Sequence, residues 1–406
     1  MALISADSPF RDRAFSRYWL ARVFSISGYL VQSVAVAWQV YQLTGSALDL
    51  GLVGLIQFLP RVALLPVVGN AADRYDRRKL MLFAQVVQGL ALLVLTLASA
   101  YGVIGRELIF GLVLITGAAR TLEMPATQSL LPALVAPAVM SRAVAISASA
   151  TQAATILAPA VGGFLFALGA TTVYAVTTAM FGVAVIATTR IAIPAQVRSV
   201  VTGSGLAHFL EGIRFVVRQR AILGAISLDL FAVLLGGATA LLPIIAHEVL
   251  HTGPWGLGLL RSAPAAGALL TSIWLAHYPL EKSVGKLMFG CVALFGLATI
   301  AFGVSESMAF SLASLALLGG ADMVSVVIRS AYVQLQTPDE MRGRVSAVNS
   351  LFIGASNQLC EFESGVTAAW LGTVGAVVLG GIGTLVVVAV WTRLFPELLH
   401  AERLER

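Results

Sequence analysis

Apolar residues in this chain come in long runs, and the polar residues gather in the short gaps between them. Twelve runs stand out, at roughly 18–42, 48–70, 80–100, 108–131, 142–168, 171–192, 221–246, 255–278, 286–304, 308–335, 345–370 and 373–395. A helix needs about 20 predominantly apolar residues to cross a hydrocarbon core of about 30 Å, and these runs meet or approach that length. The pattern predicts an all-α membrane protein of twelve transmembrane helices. A dense charge cluster at 69–79 separates the second run from the third, so it is expected to be a tight turn on one membrane face.

Composition excludes an ordinary soluble domain. Hydrophobic residues make up 58% of the chain and charged residues only 11%, with a mean hydropathy of +0.89, whereas soluble proteins carry about 25% charged residues. The net charge of +6 becomes informative once the cations are located. Arg11, Arg13 and Arg17 precede the first run, Arg74 to Lys79 follow the second, and Arg142, Arg198, Arg220, Lys286, Arg342 and Arg393 mark every second connection after that. The alternate connections carry essentially only Arg106. Cytoplasmic loops hold the lysine and arginine excess, so both termini are expected in the cytoplasm. Topology thus accounts for the basic surplus, and no nucleic-acid partner is expected. No cleavable leader pattern opens the chain, and the first run is long enough to remain as a span.

One long connection falls near the middle. It contains Pro194, a Gly203-Ser204-Gly205 break, and a segment with Leu206, Phe209, Leu210, Ile213, Val216 and Val217 at helical spacing opposite Glu211, Arg214 and Arg218. That pattern predicts an amphipathic helix at the membrane interface. The expected organisation is a six-helix bundle over 1–192, a linker over 193–220 and a second six-helix bundle over 221–406. Internal echoes support a repeat: Leu50-Gly51 with Pro60 against Leu257-Gly258 with Pro264, Gly117-Ala118 against Gly320-Ala321, and Pro137 to Arg142 against Pro338 to Arg344. Parallel repeats of this kind build transporters whose substrate site lies near the midplane.

Three stretches resemble the major facilitator superfamily. Gly69, Asp73, Arg74, Arg77, Arg78 and Lys79 spell G-x-x-x-D-R-x-x-R-R-K, similar to the superfamily's loop between spans two and three, except that Asp76 stands where many members carry glycine. Ala158-Pro159-Ala-Val-Gly162-Gly163 matches the end of the exporters' span-five motif, with alanines at 145 and 154 in place of earlier glycines. Gly319 to Arg329, Gln336 to Asn349 and Ser356 to Gly365, together with Trp38 to Ser46, are similar to the enterobactin-exporter-like branch over essentially the whole chain. Cys360 stands where a glycine is expected, which leaves close helix approach there in question. The resemblance implies the major facilitator fold of two six-helix bundles and export by alternating access. It also implies gating roles for Asp73, Arg74, Arg77 and Arg78 in the loop, with Asp73 meeting the start of span eleven near Gly343, and for Pro159, Gly162 and Gly163 in span five.

Ionisable residues inside spans are costly and so are functional candidates unless they reach the interface. Arg22 and Arg329 lie near span ends and are expected to snorkel. Arg61, Arg120, Glu123, Asp322 and Glu361 lie deeper. Arg120 and Glu123 are three apart on one face and either neutralise each other or act separately. Asp322 and Arg329 are two turns apart on one face. Asn349, Ile353, Asn357 and Glu361 form a mostly polar stripe expected to face the central cavity. Glu363 points about 200° away from Glu361 on helical geometry, and Asp229 with Arg261 make a further potential cross-helix pair. The proton-coupling candidates are Glu361 first, then Asp322 and Glu123. Arg61, Arg120, Asn349, Asn357 and Gln358 are the substrate-binding candidates.

No enzyme motif is present. There is no G-x-x-x-x-G-K-[ST] loop to cradle a nucleotide, His247 and His251 lack the H-E-x-x-H order, and Cys291 and Cys360 sit in apolar runs, so no cofactor, metal or disulfide framework is expected. The expected function is secondary export of a small organic molecule, a siderophore by preference, in exchange for protons, by a protein acting as a monomer. Alternatives are a multidrug or macrolide exporter, a lipid translocase, and a membrane sensor that keeps the fold without transport.

Overall fold

The computed structural model describes residues 9–64, 76–192, 205–237, 239–278 and 283–401. Among them every regular element is helical. The long helices are α1 (Arg13–Thr44), α2 (Ala47–Ala63), α3 (Arg77–Ala100), α4 (Arg106–Leu134), α5 (Met140–Ala167), α6 (Ala170–Thr189), α7 (Gly205–Arg218), α8 (Arg220–Gly236), α9 (Pro254–His277), α10 (Val284–Gly303), α11 (Met308–Gln336) and α12 (Asp339–Leu394). Ten stretches are long and apolar enough to cross a membrane by themselves. The last of these holds two spans, because Gly372 breaks α12 with a φ of 74°. That left-handed backbone costs glycine little and an L side chain much. Helix α2 supplies the remaining span, its described part being 17 residues long. The described residues therefore account for twelve spans. It forms two compact units, Met1–Leu43 with Ile56–Thr202, and Thr44–Leu55 with Gly203–Arg406.

In the first unit, Asp76 has a structural task that explains why the residue differs from the glycine of the resembled loop. It is the N-cap of α3, accepting from the backbone N–H of Arg78 at 2.8 Å and of Lys79 at 3.4 Å. Capping answers the unpaired N–H groups that every helix start presents. The next two residues clamp the same end of the bundle: Arg77 donates to the Ser129 carbonyl of α4 at 2.9 Å and Arg78 to the Ile191 carbonyl just past α6 at 2.6 Å. Arg17 of α1 donates to the neighbouring Arg190 carbonyl. Arginines thus meet helix C-terminal ends, where the macrodipole favours cations. Asp73 and Arg74 lie outside the described residues. In α5, a Cβ built on Gly162 would lie 3.0 Å from the Val31 carbonyl of α1, so the helices approach closely there, with Pro159 and Gly163 buried alongside.

The second unit departs from the expected pattern at span seven. Span seven is not one continuous helix over 221–246: α8 ends at Gly236, and the chain continues through a 3₁₀ turn at Thr239–Leu241, a short turn at Leu242–Ile244 and a π-helical stretch at Ile245–Val249. The break is stabilised by α12. Ser364 donates to the Gly237 carbonyl at 2.7 Å, Cys360 does so through Sγ at 3.0 Å, and Thr384 donates to the Ala232 carbonyl at 3.0 Å. Interrupted backbone inside a membrane must find such partners. Cys360 therefore does not prevent close approach. The glycine that allows it is on the other helix, at Gly237, where a Cβ would collide with the Cys360 sulfur.

The amphipathic helix forms as the spacing predicts, but it is not simply laid on the interface. Gly212 of α7 packs on the Arg344 carbonyl of α12, Glu211 pairs with the Arg344 guanidinium at 2.9 Å, and Val216 is buried in the unit's core. Leu210 and Val217 stay 47% and 58% exposed, so the apolar face is divided between protein and surroundings. Finally, the first turns of α2 belong to this unit through glycine contacts: a Cβ on Gly51 would lie 3.0 Å from the Glu361 carbonyl, and one on Gly365 would lie 2.8 Å from the Ala47 carbonyl.

Candidate functional site

In the first unit the intramembrane charges converge on Glu123. This side chain is only 2% exposed. Its Oε2 receives Arg120 at 2.9 Å and Gln88 at 2.9 Å, while Oε1 receives Gln85 at 3.2 Å and Ser25. A carboxylate offers about four acceptor positions, and all are filled. The donors come from α1, α3 and α4, and Thr188 of α6 extends the network by donating to Gln85 Oε1 at 2.7 Å. Of the two readings left open for Arg120 and Glu123, the geometry displays the mutual pair. Arg120 also lies 4.9 Å from the centroid of the Tyr29 ring, a cation–π distance, and Tyr29 donates to Gln57 Oε1 of α2 at 3.1 Å. Arg61 lies 4.0 Å from the Met124 sulfur.

Arg329 is the principal surprise of the second unit. It does not snorkel: it is 2% exposed and pairs with Asp229 across from α11 to α8. Asp229 therefore has Arg329 as its partner, not Arg261 as the sequence suggested. Asp322 stands on α11 two turns before Arg329, and the charges acting on it are those of Asp229 and Arg329. Asp229, Asp322 and Ser325 line a small cavity with Ala232, Val233, Val292 and Phe295. Its volume is about 10 Å³, close to the minimum that holds one water. Two carboxylates thus face one small cavity, with the Arg329 guanidinium paired to one of them, and Arg329 Nε has no hydrogen-bond partner among the described residues.

The α12 stripe is divided in its surroundings. Glu361 is tucked against α2, where a Cβ on Gly54 would come within 2.6 Å of the Glu361 Cβ, and Arg261 of α9 is the cation whose charge acts on it. Glu363 instead accepts from Thr367 at 2.7 Å. Asn357 is exposed. Asn349 Oδ1 and Gln358 Oε1 are buried without a hydrogen-bond partner among the described residues, which makes them acceptors with capacity to spare.

The sequence singled out Arg120 and Glu123 but not their company: Ser25, Gln85, Gln88, Tyr29 and Gln57. A signal was present for two of them. Gln85 and Gln88 are three apart in an otherwise apolar run, which puts two polar groups on one face of a span.

Twelve helices in a major facilitator arrangement, with buried ion pairs in both units, define a multi-pass membrane transporter. The pattern of the transmembrane secretion effector family matches residues 4–404, and the chain belongs to that family, whose members are transporters and not enzymes. It is similar to the enterobactin exporter EntS of Citrobacter koseri, with 28% identity over 92% of this chain and 86% of the relative, and to EntS of Escherichia coli, with 26% identity over 95% and 93%. Among solved structures it resembles the nucleoside transporter NupG in a point-mutant form, with a TM-score of 0.76, 12% identity and coverage of 94% of this chain and 100% of that one. It also resembles a bacterial homologue of the lysosomal transporter Spinster, with a TM-score of 0.71, 14% identity and coverage of 96% of each chain. At these identities the structural likeness establishes the fold.

Proposed function

We propose that this transporter exports a siderophore-class organic anion outward across the bacterial inner membrane in exchange for protons, with both termini in the cytoplasm. The substrate class rests on the relatives named enterobactin exporter. The outward direction rests on the same relatives, and the orientation rests on the alternation of basic and nearly cation-free connections. Arg61 and Arg120 in the first unit, and Asn349, Asn357 and Gln358 in the second, are the proposed substrate contacts.

Proton coupling is carried by one observation: Asp229 and Asp322 line one small cavity, and the cation acting on both is Arg329, which is paired with Asp229. With both acids ionised the cluster holds one uncompensated negative charge, which is expensive away from water. A proton on Asp322 cancels it without disturbing the Asp229–Arg329 pair. Glu123 would have to release one of four donors to take up a proton, and Glu361 already has Arg261 nearby, so Asp322 is placed first for coupling and Glu361 second. Proton binding on one side of the membrane and release on the other would then bias the two units between alternate packings, in the manner of rocking bundles.

Everted inner-membrane vesicles test the reading. Energised vesicles containing the protein should accumulate a labelled catecholate siderophore, and a protonophore should collapse that accumulation. Accumulation that survives the protonophore, or none with any siderophore class, contradicts it.

A further inference from the structure

An open groove runs along the first unit at the end that holds Arg17, Arg77 and Arg78. It has a volume of about 710 Å³. One wall is the start of α5, where Arg142, Ala145, Ile146, Ser149 and Ala150 recur at intervals of three and four. That spacing makes a single helical face roughly 12 Å long at 1.5 Å per residue. The other wall is aromatic: Phe10, in the turn before α1, stands edge-on to Trp19 with ring centroids 5.4 Å apart. The Trp19 indole Nε1 is buried there and has no hydrogen-bond partner among the described residues. None of these residues belongs to the Glu123 network or to the Asp322 cluster.

The distribution of chemistry along the groove is directional. Its cation, Arg142, is at the mouth, in the first turn of the span, while the floor deeper in the membrane is Ile146 and Ala150 with one hydroxyl at Ser149. A siderophore-class anion carries polar groups all over and would leave most of them unmatched on such a floor, and each buried group left without a partner weakens binding. A phospholipid fits it: an anionic head at the interface and a hydrocarbon tail below. Basic pockets between spans hold anionic headgroups, and an indole N–H beside an apolar wall suits the level of the headgroup.

We propose that this groove is a specific site for one anionic phospholipid, its phosphate held by Arg142 at the mouth and one acyl chain lying along Ile146 and Ala150 beside the Trp19 ring. The site would make the first unit sensitive to the anionic lipid content of the membrane, separately from any transported substrate.

Contact quenching of indole fluorescence by brominated acyl chains provides the test. The full-length protein is placed in nanodiscs of phosphatidylcholine with a minority of phosphatidylglycerol, bromine being carried by one lipid or the other at matched mole fraction. The chain has six tryptophans, so the Trp19 signal is taken as the difference between the wild type and Trp19→Phe. Brominated phosphatidylglycerol should quench Trp19 several-fold more than brominated phosphatidylcholine. Arg142→Gln should remove that preference, and Ala150→Leu, which fills the groove and keeps the charge, should lower quenching by both. Equal quenching by the two lipids in the wild type overturns the proposal. So does relief of the quenching by 2,3-dihydroxybenzoate, a soluble catecholate probe, which would give the groove to the substrate.

Discussion

Gly54 of α2 lies against Glu361 of α12 so closely that a Cβ built on the glycine would come within 2.6 Å of the glutamate's own Cβ. No side chain fits there without displacing one helix from the other, and overpacking of that kind costs about 1–3 kcal/mol. Gly54→Ala should therefore lower both transport and the unfolding temperature in detergent. Removing the Cβ from the other side should restore packing, so the double variant Gly54→Ala with Glu361→Gly should transport and unfold more like the wild type than Gly54→Ala with Glu361→Ala, which keeps the clashing Cβ. An unaltered Gly54→Ala protein, in both stability and rate, would show that the contact is slack.

The Glu123 network makes a different prediction. Removing one partner of a buried charge pair costs about 3–5 kcal/mol, because the other is left uncompensated. Arg120 retains 16% side-chain exposure and its Tyr29 contact, so it keeps some access to water. Arg120→Gln should thus lose stability and also weaken binding of anionic substrates more than of neutral analogues, whereas Gln85→Leu should lose stability alone. Equal effects of Arg120→Gln on anionic and neutral ligands, measured by calorimetry, would reduce Arg120 to a structural role.

Much of this fold is legible in the sequence because its signals are long. Runs near 20 apolar residues mark the spans, and helical spacing marks α7, without any knowledge of what lies opposite. Pairing is different, because it depends on which helices become neighbours. Asp229 and Arg329 are a hundred positions apart in sequence, and periodicity on either helix gives no reason to prefer this pair over Asp229 with Arg261. The break after α8 was equally hidden. Gly236-Gly237 reads as ordinary close packing until Ser364 and Cys360 are seen donating to the Gly237 carbonyl. Asp76 illustrates a third case: as a departure from a loop motif it is unexplained, and as the N-cap of α3 it has a cause.

That cap supports a modest prediction. Asp76→Ala should destabilise the protein by about 1 kcal/mol, the usual worth of an N-cap side chain. Asp76→Gly should cost only a few tenths of that unit. If alanine and glycine are indistinguishable from aspartate in thermal unfolding, the capping bonds contribute nothing at this loop.

Orientation is open to a labelling experiment. Val103, 70% exposed in the α3–α4 connection, and Gln219, exposed between α7 and α8, should lie on opposite faces of the membrane. In a background of Cys291→Ala and Cys360→Ser, the serine keeping a donor for the Gly237 carbonyl, Val103→Cys should react with an impermeant thiol reagent outside intact cells and Gln219→Cys should be protected. The reverse pattern would invert the topology.

The central claim concerns Asp322, the acid that lines one small cavity with Asp229. It is tested most directly by purified Asp322→Asn in proteoliposomes carrying an imposed pH gradient, with Glu361→Gln measured beside it. Neutral asparagine mimics the protonated acid permanently, so the variant should bind substrate and exchange it across the membrane but fail to concentrate it against its gradient. Asp322→Asn that still drives uphill accumulation at the wild-type level, while Glu361→Gln does not, would contradict the account and move the coupling site to α12.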